Sequence, residues 1–316
     1  MHDRIRRGVS QAGGKKAALF EKTITLGRKR YENPGSLGFG EKITDVFLTR
    51  LVRRKVQAGF GGRLKALVSG GAPLNYDIGV FFTALGIRIL QGYGQTESAP
   101  CISCNPPSHF RIDAVGPPME GVELRIAEDG EILVRGELVM QGYWRNPDAT
   151  AEAIQDGWLH TGDIGVLDSD GHLRITDRKK DIIVNSGGDN LSPQRIEGFL
   201  TLQPEIAQAM VYGDKRPHVV ALIVPDQEFL ENWARESGRE DIERAALVYD
   251  EEFRAEIGAA IDRINAGLSV IEKIRRFIVS ADPFTIENGM MTPTLKIRRH
   301  MIRTKYGDAL EALYGG

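Results

Sequence analysis

Leu64-Lys65-Ala66-Leu67-Val68-Ser69-Gly70-Gly71-Ala72-Pro73, continued by Ile87-Arg88-Ile89-Leu90-Gln91-Gly92-Tyr93-Gly94-Gln95-Thr96-Glu97-Ser98, is the part of the chain that decides its fold class. Leu64, Ala66, Leu67 and Val68 form a short apolar run that ends in a glycine-proline turn. Ile78, Val80, Phe81, Phe82 and Leu85 then predict a helix stopped by Gly86, and Ile87 to Leu90 predict a second strand. Strand, turn, helix and strand in that order make a βαβ unit, whose strands run parallel and whose ligand sites lie at their carboxyl ends. Both glycine-rich turns sit at such an end.

Working outward, the pattern changes on each side. From Gly116 onward short alternating runs, Val122 to Ile126, Glu131 to Val134, Gly165 to Leu167 and Leu173 to Thr176, predict a small antiparallel sheet or barrel. After Asp177-Arg178-Lys179-Lys180-Asp181 come Ile182 to Val184, a helix from Ser192, strands Ala207 to Val211 and Val219 to Val224, and two further helices, an α+β module. Phe253, Ile257, Ile261, Ile264, Leu268 and Ile271 recur at steps of three and four, which predicts a buried stripe. Residues 1 to 62 are basic and dotted with glycine, with one helix expected over Ile43 to Val56. The expected architecture is α/β and α+β. A parallel α/β portion spans 1–116 and a β-barrel-like subdomain spans 117–179. An α+β domain is expected over 180–316.

Bulk properties narrow the function classes. The 316 residues carry 41 Lys plus Arg against 43 Asp plus Glu, a balance that gives a polyanion no electrostatic purchase, so nucleic acid is not an expected partner. Apolar residues are 41% and no apolar run is long enough to span a bilayer, so a cytoplasmic protein is expected, with room for peripheral membrane contact. The opening residues lack the apolar core of a signal peptide. The two cysteines, Cys101 and Cys104, share a C-x-x-C spacing, but a zinc knuckle's fourth ligand position holds Ala114 and no second pair follows.

Four stretches carry candidate chemistry. In Gly92 to Ser98, Tyr93 offers a flat face for a base, Thr96 a hydroxyl for phosphate and Glu97 a carboxylate for a hard cation, while the glycines let a ligand approach the backbone. Trp158-Leu159-His160-Thr161-Gly162-Asp163, expected as a turn between strands, ends in a carboxylate suited to a diol. Ser186-Gly187-Gly188-Asp189 precedes Ser192, a helix cap followed by Pro193. Gly289-Met290-Met291-Thr292-Pro293-Thr294-Leu295-Lys296 presents a lysine on a loop, where an ammonium offsets charge on phosphate oxygens.

In this order and at these spacings the motifs resemble the adenylate-forming superfamily, and Ser69-Gly70-Gly71-Ala72-Pro73-Leu74 with its lead-in is most similar to the long-chain fatty acyl-CoA synthetase branch. The resemblance implies an AMP-forming acid–thiol ligase that uses ATP, Mg2+ and CoA and acts on a fatty acid. It implies that Gly70, Gly71, Ala72 and Pro73 lie on the adenine side, that Tyr93 stacks on adenine, and that Thr96 touches the α-phosphate. It further implies that Glu97 holds Mg2+, that Asp163 holds the ribose hydroxyls, and that Arg178 lies near ribose and phosphate. By the same resemblance Lys180 matches the hinge of a mobile carboxy-terminal domain, Gly187 and Gly188 are implied to belong to a pantetheine tunnel from Ser186 to Asp189, and Lys296 matches the lysine that bridges carboxylate and α-phosphate.

The same resemblance calls for a Ser/Thr/Gly-rich phosphate loop with a lysine, upstream of the adenine motif. Gly8 to Lys16 puts glycine where the lysine belongs, and Gly35 to Gly40 lacks a preceding apolar strand, so both are expected to be plain loops. The chain is therefore expected to be the carboxy-terminal half of such an enzyme and to need the amino-terminal half for turnover. Two alternatives follow: a noncatalytic nucleotide- or CoA-binding remnant, or a ligase that hands its adenylate to a carrier-protein thiol.

Overall fold

The structure, a computed structural model, describes residues 2, 5–6, 8–9 and 13–315. Ahead of the first strand the described residues include α1 (Gly14–Glu32), α2 (Phe39–Leu48) and, after a π-helical turn (Thr49–Arg53), α3 (Arg54–Gly59). Then come β1 (Leu67–Ser69), α4 (Tyr76–Ala84), β2 (Ile89–Tyr93) and β3 (Ser103–Cys104). The βαβ unit is present as expected: β1 runs parallel to β2 with Leu67 opposite Ile89 and Ser69 opposite Gln91. Asn75 caps α4 through its side-chain oxygen, which accepts the Asp77 N–H at 2.9 Å. β3 adds antiparallel to β2.

The amino-terminal segment is helical where loops are expected. Gly14, Lys15 and Lys16, expected in a loop, open α1; Ser10, Gln11 and Ala12 of the same stretch lie outside the described residues. In the other expected loop Gly38 begins a helix, its N–H donating to Glu41 Oε2 at 2.8 Å. Helix α1 was hidden by Gly27, a poor helix former in mid-helix. The residue is needed for packing: a Cβ on Gly27 would lie 2.5 Å from the Ala84 Cα.

The helix expected over Ile43 to Val56 is present and longer, but most of its apolar residues lie off its buried face, which carries Leu48 beside Asp45. Phe39, Ile43, Val46 and Phe47 are exposed, whereas Asp45 and Arg53 are buried. Arg53 Nη2 donates to Asp45 Oδ1 at 2.6 Å, Arg53 Nε to the Ala84 carbonyl at 2.6 Å, and Arg30 Nη1 to Asp45 Oδ2 at 2.8 Å. A paired charge thus ties α1, α2 and α4 together.

The next strands, β4 (Glu123–Ile126), β5 (Glu131–Arg135), β6 (Ile154–Gln155), β7 (Trp158–Leu167) and β8 (Leu173–Arg178), form one sheet ordered β4-β5-β7-β6, with β8 also on β7. This corrects the expected barrel: among the described residues the outer strands β4 and β6 each pair on one side only, so the sheet stays open. A second correction concerns Trp158 to Asp163, which is no turn. It is continuous with Gly165 to Leu167 in β7, and the irregularity is absorbed by a bulge at Gly162, whose φ is +71°.

The chain divides into two compact units, one ending at Thr176 and one starting at Asp177. In the second, β9 (Ile183–Val184) and β10 (Asn190–Leu191) make a hairpin, and Ser192 Oγ accepts the Arg195 N–H at 3.3 Å to cap α5 (Pro193–Leu200). A sheet follows of β11 (Ile206–Tyr212), β12 (Val219–Pro225) and β13 (Ile274–Val279), with α6 (Gln227–Glu236), α7 (Arg244–Leu247) and α8 (Glu251–Asn265) between the last two strands. All of β12 is buried: Val219, Ala221 and Ile223 pack with Phe253, Ile257 and Ile261, and Val220, Leu222 and Val224 with Phe284, Ile302 and Leu310 of the loop and of α9 (Arg299–Ala312). The expected stripe is buried as far as Leu268, but Ile271, past the end of α8, is 41% exposed. No helix among the described residues is long and apolar enough to cross a membrane.

Candidate functional site

Within the first unit the two glycine-rich turns come side by side. Ser69 and Gln91 are register partners at the carboxyl ends of β1 and β2, and a Cβ on Gly70 would sit 3.1 Å from the Gly92 carbonyl oxygen. Gly70, Gly71, Ala72 and Pro73 are exposed. Tyr93 closes β2 with its ring in the core among Ile102, Ile132, Val134 and Leu173, 8% exposed. Its hydroxyl donates to Asp163 Oδ2 at 2.7 Å, which joins two motifs seventy residues apart.

Beyond Tyr93 the chain makes a short 3-10 turn, Thr96–Ser98. Gly94 is required by this turn: a Cβ there would stand 1.8 Å from the Pro100 carbonyl oxygen. Thr96 is exposed and Glu97 half-buried. Glu97 Oε1 accepts the Tyr143 hydroxyl at 2.8 Å, and the Glu97 carbonyl accepts the Met140 N–H at 2.8 Å. The carboxylate beside it pushes the Tyr143 phenol up in pKa. Sequence reasoning missed Tyr143, which lies far from the motif it holds.

In the second unit Arg178 and Lys180 are exposed in a tight turn, the Asp181 N–H donating to the Arg178 carbonyl at 2.9 Å. Gly187 and Gly188 are exposed at the tip of the β9–β10 hairpin, which Asn185 organises: its Oδ1 accepts the N–H groups of Gly187 and Asp189, both at 2.9 Å. Lys296 is exposed on a second hairpin. There the Leu295 N–H donates to the Thr292 carbonyl and the Thr292 N–H to the Lys296 carbonyl, both at 2.8 Å, with Pro293 at the turn position it favours. Leu295 has φ +61°, a left-handed conformation that costs a branched residue about 1 kcal/mol or more and that collects at functional segments.

Behind these loops lies a buried ion pair. Arg299 donates to both oxygens of Glu197, at 2.7 and 2.6 Å, and Glu197 Oε1 also accepts the Val211 N–H at 2.8 Å. Burial pushes the Glu197 carboxyl up. Burial pulls Arg299 the other way, yet the Glu197 charge and hydrogen bonds carry its pKa above the usual range, so the guanidinium stays ionised. The carboxyl of Asp177, also buried, is pushed up by desolvation.

Cys101 and Cys104 are free thiols, and burial raises the Cys101 pKa, which lowers its reactivity. A wide cleft of about 900 Å³ lined by Tyr31, Tyr76, His109, Arg111 and Asp113 contains none of the residues singled out from the sequence.

Residues 40–144 match the family model of AMP-binding enzymes, and residues 180–316 match the model of the AMP-binding enzyme C-terminal domain. The chain belongs to the AMP-binding enzyme family. Within that family, long-chain-fatty-acid–CoA ligase FadD15 of Mycobacterium bovis is 44% identical over 266 residues, which span 84% of this chain and 44% of that protein. Human long-chain-fatty-acid–CoA ligase 1 is 34% identical over 289 residues, 84% of this chain and 40% of that protein. The adenylation domain of a carboxylate reductase from Mycobacterium chelonae has the same fold, with a TM-score of 0.68 and 26% identity over 94% of this chain and 46% of that one. The chain spans about half the length of the curated AMP-binding relatives it matches.

Proposed function

We propose that the chain supplies the adenylate site and the lysine-bearing module of a long-chain fatty acid:CoA ligase, working in the cytoplasm where ATP and CoA are available. The observation that carries the reading is the Tyr93–Asp163 hydrogen bond, which joins two separate motifs where parallel strands end. In this reading 1–116 and 117–179 belong to the large domain and 180–316 is a mobile domain hinged at Lys180.

A fatty acid carboxylate repels thiolates and has no good leaving group. Its oxygen therefore attacks the α-phosphorus of ATP, and pyrophosphate departs to leave an acyl adenylate; a CoA thiolate then attacks the acyl carbon and AMP departs. Tyr93, fixed by the core and by Asp163, takes adenine; Asp163 takes the ribose hydroxyls, with Arg178 near ribose and phosphate. Thr96 and Lys296 face the α-phosphate, where Lys296 offsets the charge that builds as pyrophosphate leaves. Mg2+ fits Glu97, because Tyr143 engages one carboxylate oxygen and the other has no hydrogen bond among the described residues; when bound, the ion supplies charge neutralisation on the phosphates. Gly187 and Gly188 line the path of the pantetheine arm.

The test is fatty-acid-dependent exchange of labelled pyrophosphate into ATP, by this chain with an amino-terminal half supplied in trans. Exchange that falls about 100-fold or more in Lys296→Ala is expected; no exchange, or no loss in the variant, would sink the reading. The second reading, a binding module without turnover, is favoured by one observation: Gly14 stands where a phosphate loop's lysine belongs and no Ser or Thr follows Lys15-Lys16. Calorimetric binding of AMP and CoA without exchange supports that reading, and exchange without CoA consumption supports a carrier-protein thiol as acceptor.

A further inference from the structure

Glu131 opens β5 and is 5% exposed, a position where a carboxylate is costly unless its oxygens are engaged. They are engaged on the strand that carries Asp163. Oε1 accepts the Gly162 N–H at 2.8 Å, and Oε2 lies 3.1 Å from His160 Nδ1. The next residue of β5 continues the pattern: the Ile132 carbonyl accepts the Thr161 hydroxyl at 2.7 Å, and that hydroxyl oxygen accepts the Asp163 N–H at 3.1 Å.

The pairing register explains why such a set of ties is needed. Glu131 faces Ile164 and Leu133 faces His160, so Thr161, Gly162 and Asp163 all stand opposite the single residue Ile132. A bulge of this size leaves ladder groups without cross-strand partners and its backbone free to shift. Gly162, at φ +71°, is the residue on which the bulge turns, and its N–H is the group that Glu131 holds. A hydrogen bond to a charged acceptor is stronger than one between neutral groups.

We propose that Glu131 is a positioning residue for Asp163, clamping the Gly162 bulge so that the Asp163 carboxylate stands where the ribose hydroxyls of the adenylate arrive. The inference rests on the proposed ribose role of Asp163. A Glu131 that merely stabilised the sheet would weaken the fold without altering which nucleotide is preferred.

The experiment compares AMP with 2′,3′-dideoxy-AMP by calorimetry on the whole chain, together with amide hydrogen exchange at Gly162 and Asp163. Wild-type protein is expected to prefer AMP by about tenfold or more, the difference one charge-assisted hydrogen bond makes. Glu131→Ala should bring the ratio towards one with little change for the dideoxy compound, and should speed exchange at both amides. Glu131→Gln, whose amide oxygen still accepts from Gly162, should keep most of the preference. A wild-type ratio and unchanged exchange in Glu131→Ala overturn the proposal. No preference in the wild type, including no binding of either nucleotide, overturns the ribose role of Asp163 instead, and exchange alone then decides whether Glu131 holds the bulge. If Glu131→Ala does not fold, Glu131→Met fills the same space without an acceptor and makes the same comparison.

Discussion

In α8 the apolar residues Phe253, Ile257, Ile261 and Ile264 recur at steps of three and four and are all buried; in α2 Phe39, Ile43, Val46 and Phe47 recur at similar steps and are all exposed. The sequence pattern is alike and the outcome opposite. α8 turns its stripe onto β12, a strand buried along its whole length. α2 instead turns inward the face that holds Leu48 and Asp45, where Arg53 and Arg30 pair with the buried carboxylate. Periodicity therefore specifies a face but not a partner, and a charge with a well-placed counter-charge can occupy the inner face.

The contrast can be broken or sharpened by substitution. The largest effect is expected at Phe253→Ala, which empties a fully buried ring site and should lower unfolding free energy by about 3–5 kcal/mol. Urea unfolding followed by the fluorescence of Trp233, whose ring lies 5.1 Å from Phe253, reads it directly. A loss of under about 1 kcal/mol would mean that the α8 stripe is not the core it looks like. In the other region Gly27→Ala forces a methyl group against Ala84 and should cost about 1–3 kcal/mol, visible in circular-dichroism melts; an unchanged melt would refute the close crossing of α1 and α4. The smallest effect is expected at Phe47→Glu, which should change stability by no more than about 0.5 kcal/mol while reducing self-association in light scattering. A large destabilisation there would show that the α2 face has a partner within the chain.

The site was legible to differing degrees for physical reasons. Tyr93, Thr96, Glu97 and the Ser69 to Pro73 turn could be found because each follows a strand that local apolar runs reveal. Tyr143 and Glu131 could not, since what recommends them is a partner 46 residues away in one case and a bulge across a strand pair in the other. Asp163 was picked out, but in a supposed turn, because a glycine between short apolar runs reads as a break and only cross-strand pairing reveals a bulge. Leu295 carried a signal of a different kind, a left-handed residue that no sequence pattern announces. β13 has no clear strand pattern in the sequence, because its arginines mask a strand that among the described residues pairs on one side only.

The sequence by itself determined the order of the motifs, the βαβ unit between Leu67 and Tyr93, the α+β character of the segment after Asp177 and the family, all of which depend on local runs and spacings along the chain. Only the tertiary structure decided which helical face is buried, that the antiparallel strands form an open sheet and not a barrel, and that Tyr93 meets Asp163. Those outcomes turn on residues distant in sequence competing for the same contacts, and a linear pattern does not contain the identity of the partner that wins.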